Sequence, residues 1–153
     1  SEEDADKKGQ KIVLRAMLDL AKRIDRPVVV HTRKAEADVM EILEDYKDDL
    51  KIVLHCFCGK KKLVRKAANR GYFFSIPTNI VKNDQFQLMT EIVNINQILT
   101  ETDAPYLSPF KGKRNEPAFI AETIKKIAEI KGFEEQEVKN NIFLNYQKVF
   151  GSR

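Results

Sequence analysis

Short all-apolar runs alternate along this chain with longer stretches in which apolar residues recur every third or fourth position. From Lys11 to Asp25 the residues Val13, Met17, Leu20 and Ile24 keep helical spacing, and Pro27 then bars further helix. Val28 to Val30 reads as a buried strand ending at His31. Residues 34 to 47 return to helical spacing through Ala35, Val39, Ile42 and Tyr46, and Ile52, Val53 and Leu54 form a second strand, also followed by a histidine, His55. Leu63, Val64, Ala67 and Ala68 predict a short helix over roughly 60 to 70, with Gly71 at its C-terminal cap. Tyr72 to Ile76 is the third strand. Leu88, Met89, Ile92 and Val93 mark another helix, and Gln97 to Thr102 supplies a fourth strand ending at Asp103. Two helices close the chain: one from about Glu116, with Pro117 in its first turn and Gly132 as its stop, and one from about Glu134 to Phe150.

Strands that alternate with helices and are apolar throughout imply a parallel sheet covered on both faces, an α/β fold built of repeated βα units. The distances from His31 to His55 and on to Asp103 match one and two such steps. In parallel α/β folds the carboxyl ends of the strands carry the chemistry, because the loops there converge on one rim.

Composition narrows the class. The chain has 153 residues, 42% apolar and 33% charged, as expected of one domain with a real core, and no linker or low-complexity block divides it. No apolar run approaches the roughly 20 residues of a membrane span, and the acidic start SEEDADKKGQ lacks the basic and apolar regions of a signal peptide. Membrane and secretory readings fall away. The two cysteines, Cys56 and Cys58, are too close for a useful structural disulfide and read as reduced thiols of a cytoplasmic protein. A net charge of +4 permits an anionic partner without demanding one.

His31, His55 and Asp103 each follow an apolar run, so they fall on one rim. Imidazole and carboxylate groups there suit Zn²⁺, Mn²⁺ or a similar ion; singly, each is equally a structural residue. A second metal reading joins Cys56 and Cys58 to His55, but period two sets Cys56 on the opposite face and no zinc-finger spacing occurs. Period two also sets Glu101 beside Asp103, where two carboxylates repel unless a cation intervenes. Lys111, Lys113 and Arg114 follow closely and can either neutralise Glu101 or hold a phosphate. Arg33, with Lys60, Lys61 and Lys62, adds further positive charge to this rim.

The segments PVVVHTRKAEAD (27 to 38), LHCFCG (54 to 59), ETDAPYLSP and KGKRNEP (101 to 117) and the closing NYQKVFG (145 to 151) resemble the TatD-like deoxyribonucleases. The resemblance implies a metal-dependent TIM-barrel hydrolase of amidohydrolase type acting on DNA, with single-stranded ends the expected substrate and one or two Mg²⁺, Mn²⁺ or Zn²⁺ ions as cofactor. It carries metal ligation onto His31, His55 and Asp103, from the fifth, sixth and eighth strands, and makes Asp103 also the catalytic group that orients or deprotonates water. Arg33, Lys113 and Arg114 are then the candidate substrate-binding residues. Cys58 stands where such proteins more usually have Ser or Thr. The larger departure is length: a TIM barrel takes about 250 residues and eight strands, whereas four strands are predicted here. No His-x-His occurs, and the family's first-strand His pair and fourth-strand Glu have no counterpart. Residues 1 to 153 thus read as the last four βα units, strands five to eight. The same sequence also admits a noncatalytic half barrel that pairs with itself or with an N-terminal half, or a hydrolase acting on amides or lactones.

Overall fold

A computed structural model describes residues 6–151; the first five residues of the acidic start and the last two of the chain lie outside the described residues. The elements follow the predicted alternation. They are α1 (Lys7–Arg23), β1 (Val28–His31), α2 (Glu36–Leu43), β2 (Ile52–His55), α3 (Lys61–Asn69), β3 (Phe73–Ile76), α4 (Asp84–Ile92), β4 (Ile98–Thr100), α5 (Ile120–Lys131) and α6 (Glu135–Phe150). The four strands form one parallel sheet in chain order, β1-β2-β3-β4.

Local chemistry sets the boundaries. Asp6 caps α1 by accepting a hydrogen bond from the Gly9 amide, and Lys22 and Arg23 lie in the last turn, where positive charge suits the helix dipole. Asn83 caps α4 by accepting from the amides of Gln85 and Phe86, a signal that extends this helix beyond the predicted apolar stretch. Glu134 and Glu137 form a reciprocal capping box on α6, and Gly132 ends α5 with φ 69°. Pro117 opens a separate 3-10 turn, so α5 starts at Ile120.

Period two divides the sheet. Val30, Leu54, Phe74 and Ile98 are buried in the main core with Leu43 and Met89 of α2 and α4. The opposite face carries Val29, Val53 and Phe73 in one row and His31, His55, Ser75 and Leu99 in the next. Coverage of both faces, expected from the apolar strands, is only partial among the described residues. On this second face Val149 of α6 packs against Val53, Leu99 and Phe73, whereas Val29 on edge strand β1 is 58% exposed.

The stripe predicted for α1 is likewise turned outward. Leu18 and Ala21 are buried, while Val13, Met17 and Ile24 are more than half exposed. Leu18 and Ala21 face the core, the exposed ion pairs Lys11–Asp38, Arg15–Asp45 and Lys22–Asp49 join α1 to the α2 segment, and the Tyr46 hydroxyl donates to Asp19. These contacts leave an open apolar groove of about 870 Å³ between α1 and β1, lined by Val13, Met17, Ile24 and Val29 among others. No helix among the described residues is long and apolar enough to cross a membrane.

Candidate metal centre

His31 and His55 occupy equivalent positions on adjacent strands, and their rings lie 5.4 Å apart. Parallel pairing in register places both imidazoles at the carboxyl end of the sheet. Asp103 arrives differently from the expectation: β4 ends at Thr100, and Asp103 sits three residues later in a loop, with φ 58°. Its Oδ1 is 3.9 Å from His55 Nε2, beyond hydrogen-bond reach but close enough for both to face a common ion.

A left-handed backbone at a residue other than glycine needs support. Asn115 provides it. This buried side chain donates to the carbonyls of Thr102 (2.7 Å) and Tyr106 (2.6 Å) and to Thr78 Oγ1 (2.8 Å), and the Asn115 amide donates to the Pro105 carbonyl. The loop is therefore clasped on both sides of Asp103. Sequence reading missed Asn115 because it weighed the cations around it in KGKRNEP. A neutral Asn within a polar loop carries no distinguishing signal.

Glu101 is the other residue whose role the sequence left undecided. Its amide still donates to the β3 carbonyl of Ile76, so the alternation continues past β4 and directs the side chain to the His55 side. His55 Nδ1 and Ser75 Oγ (2.7 Å) meet Oε2, while the Cys56 amide (3.0 Å) and Cys56 Sγ (2.9 Å) meet Oε1. The expected pairing of Glu101 with Arg114 or its lysine neighbours is absent among the described residues, because these groups already surround the carboxylate. Cys56 also departs from expectation. Its φ of 43° breaks the strand period and returns its thiol to the His55 side, so His55, Cys56 and Glu101 form one half-buried cluster with ligand atoms within 4.8 Å of one another. Burial, then the bond to Glu101, pushes the Cys56 thiol up from its ordinary value of 9.0. Cys58 is outside the cluster: exposed, it bonds the Cys56 carbonyl at 3.3 Å, and both cysteines are free.

The basic residues scatter. Arg33 is exposed and lies near Cys58, whose thiol it acts to lower against the larger effect of burial. Lys113 stands 5.4 Å over the Phe110 ring, and Arg114 is exposed with no side-chain hydrogen bond or ion pair among the described residues. Among the described residues neither is hydrogen-bonded or ion-paired to His31, His55 or Asp103.

A parallel α/β sheet that gathers imidazoles and carboxylates at its strand ends is the arrangement of metal-dependent hydrolases. The chain belongs to the TatD related DNase family, which it matches over residues 1–151. It is 35% identical over 150 residues to the uncharacterized metal-dependent hydrolase MJ1582 of Methanocaldococcus jannaschii, covering 98% of this chain and 59% of that protein. It is 36% identical over 144 residues to the human deoxyribonuclease TATDN3, covering 94% and 52% respectively. The chain thus spans between half and three fifths of these relatives. In fold it is similar to a TatD family hydrolase of Entamoeba histolytica, with a TM-score of 0.84 at 21% identity over 97% of this chain and 59% of that one. The TatD homologue YJJV of Escherichia coli K12 gives 0.85 at 22% identity, over 95% and 58%.

Proposed function

We propose that this chain is the last four βα units of a TatD-type barrel, strands five to eight, and that its rim forms part of a divalent-metal centre that hydrolyses DNA phosphodiester bonds. The observation that carries the reading is the pairing of His31 and His55, in register on β1 and β2, with Asp103 Oδ1 3.9 Å from His55 Nε2; among the described residues these three do not draw as close together as His55, Cys56 and Glu101 do. Two nitrogen donors and one carboxylate fit Zn²⁺ or Mn²⁺, and leave positions for water and for further ligands from the remainder of a barrel. His31, His55 and Asp103 would hold the ion. The chemistry it supplies is Lewis acidity toward water and toward a phosphoryl oxygen.

The residues of the chain do the rest. Asp103, on the exposed side of the site, holds the attacking water and accepts its proton. Arg33, Lys113 and Arg114 bring positive charge to the phosphate oxygens, the last two from the loop that also carries Asp103. A rim of this kind suits single-stranded DNA ends, and the two free thiols suit a cytoplasmic setting.

The exposed groove beside β1 supports a partner at that edge, either an N-terminal half barrel or a second copy. Release of nucleotides from labelled single-stranded DNA with Mg²⁺ or Mn²⁺, against an EDTA control, tests the reading. The isolated chain is expected to show little activity, and activity is expected to return when a family-type N-terminal half is supplied. EDTA-insensitive cleavage, or none in the reconstituted protein, overturns it.

A further inference from the structure

We infer that Glu101 is a positioning residue, not a metal ligand: it fixes the His55 imidazole with its proton on Nδ1, so that the Nε2 lone pair faces Asp103 and the ion. The inference rests on the metal-centre reading above and deepens it.

Donor and acceptor accounting carries the argument. A carboxylate offers about four lone-pair positions. Glu101 meets four donors: Ser75 Oγ and His55 Nδ1 at Oε2, and the Cys56 amide and Cys56 Sγ at Oε1. A carboxylate so filled has no lone pair left for a cation, although its oxygens lie within 4.8 Å of the donor atoms of His55 and Cys56. An ionised carboxylate cannot donate, so the His55 nitrogen against it must carry the hydrogen. Neutral imidazole has one N–H, which leaves Nε2 as the acceptor, and Nε2 is the nitrogen 3.9 Å from Asp103. The backbone supports the same assignment. The Glu101 amide is bonded to Ile76 of β3, and Ser75 stands in register with His55, so sheet pairing and not loop packing fixes the carboxylate beside the ring.

Nitrogen NMR of the metal-free chain, at a pH where the spectrum shows neutral imidazole, reads the tautomer directly. The chain has two histidines, and His31→Gln assigns the remaining ring. The expected result is His55 with hydrogen on Nδ1. Zn²⁺ titrated alone by calorimetry should bind the wild type and bind Glu101→Gln about 10- to 100-fold more weakly, the range for loss of a group that orients a ligand. The same variant should lose the Nδ1–H signature. Ser75→Ala keeps the carboxylate, so it should keep the tautomer and lose less affinity.

A wild-type ring with hydrogen on Nε2, or a Glu101→Gln variant with unchanged tautomer and zinc affinity, overturns the assignment. The wild-type measurement decides even if Glu101→Gln fails to fold. A thiolate-to-metal charge-transfer band with Co²⁺ that disappears in Cys56→Ser also overturns it, since a metal-bound thiolate no longer donates to Glu101 and leaves an Oε1 lone pair open to the ion. Failure of the wild type to bind Zn²⁺ while the Nδ1–H tautomer is present overturns the metal centre instead, so the two failures are distinguishable.

Discussion

Asn115 donates through one amide to the carbonyl of Thr102, immediately before Asp103, at 2.7 Å, while the same nitrogen reaches Tyr106 three residues past it. Removing this group takes away hydrogen bonds to the part-buried carbonyls of Thr102 and Tyr106 and to Thr78 Oγ1, at about 1–3 kcal/mol together. Asn115→Ala should lose that much stability in urea denaturation. It should also weaken Zn²⁺ binding measured by calorimetry, because Asp103 is no longer held in its left-handed conformation.

Removal of a ligand should be felt more strongly than removal of a thiol. His55→Ala is expected to weaken Zn²⁺ or Mn²⁺ binding at least about tenfold, in a titration approaching one ion per chain. Unchanged affinity, or loss seen only in a Cys56→Ser, Cys58→Ser double variant, counts against the site. In a reconstituted barrel Asp103→Asn should reduce turnover far more than DNA binding, since it removes a proton acceptor and keeps the shape.

Gly59 marks a second tight place. A Cβ there would fall 2.4 Å from Phe57 Cε1 and 2.5 Å from Phe57 Cζ, and Phe57 is fully buried and cannot step aside. Gly59→Ala should destabilise the protein by about 1–3 kcal/mol through overpacking. Combining it with Phe57→Leu should cost less than the sum of the two single changes, as thermal or urea unfolding would read.

Alkaline pH should weaken the fold. Burial pushes the Tyr72 hydroxyl from 10.0 up to about 12, with the Glu44 charge adding to it, and the Cys56 thiol also ionises above its ordinary 9.0. In the unfolded chain both groups ionise first, at their ordinary values. Their contribution is therefore complete below about pH 9 and is lost as pH rises toward 12. The urea midpoint should fall through that window, and Tyr72→Phe should flatten the part above pH 10. That variant also leaves the Leu43 carbonyl without its 2.9 Å bond, so it starts from lower stability.

The outer edge of β1, which pairs with no other strand among the described residues, predicts association. Met17, Ile24 and Val29 are each more than half exposed around one groove. Sedimentation of the isolated chain should show a dimer or larger species, and Val29→Lys should shift it toward monomer. A well-folded monomer at low micromolar concentration would contradict an open half barrel.

The alternation of elements was legible because parallel strands buried in a core need uninterrupted apolar runs, and Val28 to Val30 and Ile52 to Leu54 show them plainly. His31 and His55 could be paired for the same reason: each closes such a run, and register does the rest. The α1 stripe misled, because helical spacing reveals an apolar face without saying what covers it. Val13 and Met17 are exposed along the groove, while Leu18 and Ala21 are the buried residues. Cys56 misled for a local reason. Period two holds only while the backbone stays extended, and a φ of 43° ends it one residue after His55. The roles of Glu101 and Asn115 depend on partners from distant segments, Ser75 and Thr78 among them, which no local pattern encodes.

The imidazoles ride on paired strands, whereas the Asp103 carboxylate rides on a loop clasped by one amide. On the proposed reading the centre is a vice, with one jaw set by sheet pairing and the other by the clasp of a loop. An ion held there would meet differences in radius on the loop side, since the spacing of the strands is set by the sheet. If the proposed centre holds, discrimination by ionic size falls to the length and tautness of the segment from Thr102 to Asn115, and a change there that spares Asp103 should retune ion preference.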